Sequence, residues 1–110
     1  MTHPLTGKWR IEEMELWNRE FIDLLGPGYI LFDNEGGGEF RFGAVAGVLE
    51  CGYAKASIHF TWEGNDEMDE ASGDGYAELQ DDGLLNGEIS FHHGDESTFA
   101  ATRWTSSTAC

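Results

Sequence analysis

Basic side chains are scarce in this chain: six Lys and Arg stand against twenty-one Asp and Glu in 110 residues, a net charge of −15 with His neutral. Such a balance repels nucleic acid phosphates and anionic membranes, so neither is an expected partner. Basic proteins, metal cations and polyamines carry the complementary charge. Cysteine is nearly missing as well. Cys51 and Cys110 make no disulfide framework, and no CxxC or Cys/His spacing suited to zinc occurs. No stretch approaches the roughly 18 apolar residues of a membrane span. Met1-Thr2-His3-Pro4 has no basic, apolar or cleavage region, so the expected compartment is the cytoplasm. A nucleophile elbow, a phosphate loop and a metal triad are all absent, which leaves catalysis with little to stand on. The expectation is a protein that is not an enzyme and carries no cofactor.

What the chain does have is aromatic mass and glycine. It is 40% hydrophobic, with seven Phe, four Trp, three Tyr and fifteen Gly, but only two Pro. That is enough apolar surface for a core, and the glycines favour tight turns over long helices. The length suits a single domain over 1–110, with 105–110 as a flexible polar tail.

Apolar and polar residues alternate with a period of two, the signature of half-buried strands. Gly7 to Leu16 sets Gly7, Trp9 and Ile11 against Lys8, Arg10 and Glu12. Tyr29–Asp33, Gly38–Phe42, Val45–Cys51 and Ser57–Glu63 follow, then Gly75–Gln80, Leu85–His93 and Glu96–Trp104. About eight strands joined by short links imply antiparallel neighbours. Closure into an all-β, up-and-down barrel buries one face of each strand and removes the sheet edges. Between the first two strands, Asn18 is a candidate N-cap. Phe21, Leu24 and Leu25 then stand at helical spacing before Gly26 and Pro27, which predicts a short helical plug across one mouth.

Leu5-Thr6-Gly7-Lys8-Trp9 at one end of the chain and Arg103 in the last strand resemble the calycins, the lipocalin, fatty-acid-binding and avidin-like barrels. The resemblance implies a barrel in which the final-strand Arg packs over the Trp ring. It also implies a small apolar ligand held inside.

The most acidic stretch is residues 63–82, with nine acids and no Lys or Arg. An EF-hand starting at Asn65 would need Gly at 70 and an acid at 76, where the chain has Glu70 and Tyr76, so that motif fails. A solvated acidic loop is the preferred reading. A cation site of another kind and a docking site for a basic partner both remain open. His92 and His93 are adjacent on a strand and face opposite ways, so at most one joins any site.

On simple parity Glu13, His93 and Arg103 face inward among Trp9, Phe60, Trp62 and Phe91. Buried charges must pair or reach a barrel mouth. Glu13 with Arg103 would make an internal ion pair, although a bulge at Glu12-Glu13 would change the parity. The leading expectation is a non-enzymatic barrel that binds a small apolar or amphipathic ligand, as monomer or homodimer. Trp9, Phe60, Trp62 and Phe91 would form its walls, and Glu13, His93 and Arg103 its anchors. The alternative is an acidic interaction module of inhibitor or immunity type, with a solid interior and residues 63–82 facing a basic partner.

Overall fold

Alternating apolar side chains in short, glycine-punctuated runs produce eight antiparallel strands. The computed structural model describes residues 3–92 and 94–104. In chain order the elements are β1 (Gly7–Met14), α1 (Arg19–Ile22), β2 (Tyr29–Phe32), β3 (Gly37–Phe42), β4 (Val45–Tyr53), β5 (Ser57–Asp66), β6 (Asp69–Leu79), β7 (Leu85–Phe91) and β8 (Glu96–Arg103). Each strand pairs with the next, and β8 returns to β1 to close the barrel. His93 and the expected tail 105–110 lie outside the described residues. Antiparallel order puts α1 and the β3–β4, β5–β6 and β7–β8 turns at one mouth, and Gly7 and Arg103 at the other.

Rings fill the lumen. Trp17, Phe42, Phe40, Trp62 and Phe91 form a closed circuit, with successive centroids 5.0, 5.7, 5.0, 5.1 and 6.0 Å apart. Edge-on contacts at Phe40–Trp62 and Trp62–Phe91 are the arrangement that ring quadrupoles favour. Room for such rings comes from the strand opposite. Phe40 faces Gly47, Trp62 faces Gly73, Phe60 faces Gly75 and Phe99 faces Gly87. A Cβ at Gly47 would stand 2.8 Å from Trp62 Cε3 and 3.0 Å from Phe40 Cε2. One at Gly75 would stand 2.7 Å from Phe60 Cζ. Large against small across each pair packs a narrow barrel without strain.

Three local expectations are corrected. Ile11 pairs with Ala101 and Glu13 with Ala100, so Glu12 is an extra residue, a bulge. The slip turns Glu13 outward and brings Met14 into the core in its place. Secondly, the acidic stretch is no loop. Asp69–Leu79 forms one long strand, β6, paired with β5 from Asp66↔Asp69 to Ser57↔Glu78. Its inward residues at 71, 73, 75 and 77 are Ala, Gly, Gly and Ala, too small to register as an apolar alternation. Finally, α1 is a single turn. Asn18 caps it, its Oδ1 accepting from Phe21 N at 2.9 Å, but the helix stops at Ile22. Ile22 is therefore the buried residue, and Leu24 and Leu25 leave the helical face for solvent.

Gly47→Ala is expected to cost about 1–3 kcal/mol through overpacking, read from the urea midpoint. The cost should shrink in a Phe40→Leu background, because the substitution removes one of the two rings that the new methyl meets. An equal cost in both backgrounds would mean that Phe40 does not set the limit on residue 47.

Candidate functional site

The residues expected to wall a ligand pocket are Trp9, Phe60, Trp62 and Phe91, and all four are buried in the common core. The indole donors of both tryptophans are already engaged. Trp9 Nε1 donates to the Leu5 carbonyl at 3.0 Å, and Trp62 Nε1 to the Ser90 carbonyl at 3.2 Å. Neither is left aimed at an empty interior.

Of the expected anchors, Glu13 and Arg103 do not converge. Glu13 is exposed on the outer wall, a consequence of the bulge. Arg103 is the register partner of Trp9, with its guanidinium carbon 4.0 Å from the indole centroid, as the calycin resemblance implies. It caps the barrel end and is itself exposed. Its Nη1 donates to the Thr6 carbonyl at 2.8 Å and its Nη2 to the Pro4 carbonyl at 2.9 Å. The ion pair with Glu13 is replaced by these carbonyl contacts. Gly7 lets the guanidinium approach, since a Cβ there would meet Nη1 at 2.9 Å. Arg103→Ala should therefore cost about 2 kcal/mol by removing a cation–π contact and two charged hydrogen bonds. Arg103→Lys should recover only part, because an ammonium lacks the planar fork. Full recovery of the thermal midpoint by Lys would sink the geometric account.

The outer wall holds the other candidate. An open groove of about 950 Å³ runs over β4, β5 and β6, with Val48 as its exposed apolar side and Glu63 and Glu70 as charged ones. Cross-strand register explains the grouping: Val48 pairs with Glu63, Glu63 with Ser72, and Asn65 with Glu70. Ser72 also contacts His92 at 3.2 Å, at one end of the groove. The ion pairs among the described residues join only Arg10, Arg19, Glu12 and Asp23, so the acids of 63–82 face solvent without a cation.

Burial pushes the Cys51 thiol up to about 11, and the Asp33 charge adds to it, so the sulfur stays protonated at neutral pH. No three His, Cys, Asp or Glu among the described residues converge enough to hold a metal ion.

Around α1 the charges are paired instead. Asp23 accepts from Arg10 at 3.0 Å, Arg19 at 3.1 Å and the Gly28 amide at 3.0 Å. Burial works to raise its carboxyl, but the Gly28 amide and the two guanidinium groups outweigh it and hold it below its ordinary value. Glu12 is likewise lowered, first by the Thr102 hydroxyl at 2.9 Å and, against burial, by Arg19 at 2.8 Å. The bulge that displaced Glu13 is what aims Glu12 at this cluster. Trp17, absent from the expected site, is the ring that seals this mouth, between Phe21 and the core circuit. Its only sequence signal is its position one residue before the N-cap.

Both carboxylates are depressed, so the anchorage they give α1 is complete above their ordinary values of about 4 and is lost as pH falls through and below that range. The Trp17 indole resonance should shift on acidification through this window, and Asp23→Asn should remove most of the shift. An unchanged acid response in Asp23→Asn would assign it to other groups.

The chain matches no family model, no curated protein and no solved structure.

Proposed function

We propose that this chain is a non-enzymatic interaction barrel that takes a basic protein segment on the outer face of β5 and β6. The observation that carries the reading is the filled lumen. The rings that would have lined an internal ligand site occupy it themselves, and the polar chemistry stands on the outer wall. A Lys or Arg side chain from the partner would lay its aliphatic stem along Val48 and present its charge to Glu63 and Glu70. The absence of a competing cation among 63–82 supports this, since an incoming one has no internal pair to break. The wall is rigid as well: β5 and β6 pair along ten residue positions, so the acids are held in place before the partner arrives.

An arginine-rich peptide of eight residues, carrying a fluorescent label, tests the reading by anisotropy. Binding should weaken steeply between about 50 and 300 mM salt. Glu63→Gln/Glu70→Gln should lower affinity roughly tenfold. Glu35→Gln/Glu96→Gln removes the same charge outside the groove and should change it far less. Equal losses from the two pairs would reduce the groove to diffuse attraction, and no binding at low salt would remove the basic partner altogether.

A further inference from the structure

The mouth closed by α1 carries an apolar surface that the fold does not use. Leu24 is 60% exposed, Leu25 63%, Leu16 51% and Met68 97%. All four belong to the same end of the barrel. Trp17 stacks on Phe21 at 5.9 Å, and Phe21 lies against Gly43. The next residue, Ala44, accepts a hydrogen bond from Glu67 N at 2.9 Å, which ties the β5–β6 turn and its Met68 to the rim formed by the β3–β4 turn. The rigid network around Asp23 holds the Leu24–Leu25 segment in place, since Asp23 grips Arg10 on β1 on one side and the Gly28 amide on the other.

Charge around this surface is mainly acidic, with Arg41 an exposed cation at the same end of β3. Glu15, Glu20, Glu67 and Asp69 are exposed and enter no ion pair among the described residues, whereas Arg10 and Arg19 are spent on Asp23 and Glu12. Exposed apolar side chains at one mouth with a mainly acidic surround match a segment that is apolar on one face and basic on its borders. A second copy of this chain would bring another net charge of −15 to the same place and is disfavoured by repulsion.

We propose that the α1 mouth docks an amphipathic, Lys- or Arg-flanked helix, with Leu16, Leu24, Leu25 and Met68 receiving its apolar face. The proposal rests on the basic-partner reading and adds to it a second, hydrophobic anchor at the end of the acidic wall. Leu24 and Leu25 are the determinants, because their exposure has no counterpart in the core and their removal leaves the barrel packing intact.

Two synthetic peptides test it by calorimetry: an amphipathic helix of Leu and Lys, and its counterpart of equal charge with every Leu replaced by Ser. The Leu/Lys peptide should bind roughly tenfold or more tightly than the Ser/Lys peptide. That advantage should vanish in Leu24→Ser/Leu25→Ser, whose thermal midpoint should match the parent. Equal binding of the two peptides, or an advantage that survives the double substitution, overturns the mouth as a docking site while leaving the acidic wall untouched. Binding of neither peptide at low salt removes the basic-partner reading and the mouth with it. Concentration-dependent self-association abolished by Leu24→Ser/Leu25→Ser would instead assign the surface to a second copy and overturn the proposal.

Discussion

A closed barrel of eight strands encloses a volume that its own side chains must fill, and here the filling is done by large rings set against bare backbone. Phe40, Phe60, Trp62 and Phe99 each reach across to a glycine on the neighbouring strand. Ring and glycine are a matched pair: enlarging the glycine collides with the ring, and at Gly73, Gly75 and Gly87 more closely still with a backbone carbonyl, while trimming the ring opens a hole. The arrangement carries the circuit from Trp17 through Phe42, Phe40 and Trp62 to Phe91. It also explains why β6 can be so polar. A strand whose inward residues are Ala, Gly, Gly and Ala contributes space to its neighbours' rings and needs no apolar bulk of its own.

From that packing follows the division of labour between inside and outside. With the lumen taken up and the Trp9 and Trp62 donors bonded to carbonyls, the exposed polar groups are left on the wall and the rim. Four of the six cations are committed locally: Arg10 and Arg19 at α1, Arg103 over Trp9, and Lys8 between the rings of Tyr29 and Trp104 at 4.4 and 4.2 Å. Such short-range commitments leave the β5–β6 face anionic by default. The face is exposed and solvent screens it, so its carboxylates contribute little to stability and are free to serve attraction and on-rate.

Much of this architecture could be read in the residues. Strand positions, antiparallel order and closure followed from period-two alternation and short links, because each strand shows its neighbours one apolar face. The contact between Arg103 and Trp9 was implied by the calycin resemblance, and the N-cap role of Asn18 by its place before the one segment that lacks alternation. The helix was overextended for a physical reason. Spacing makes Leu24 and Leu25 look like a buried face, but Asp23 takes the Gly28 amide and two guanidinium groups, and the chain turns away after Ile22.

What composition and pattern determined on their own is therefore the all-β barrel, its net charge and the concentration of acid in residues 63–82. These depend on local periodicity and on counting, and both are properties of the chain itself. Only the tertiary structure decided which side of the wall each charge would occupy and whether the interior would be empty. A one-residue bulge at Glu12 reverses every assignment after it on β1, and it is set by pairing with β8, nearly ninety positions away in the chain. Whether the aromatic rings line a cavity or fill it depends on the glycines that the register brings opposite Phe40, Phe60, Trp62 and Phe99, a relation between strands that no single strand contains.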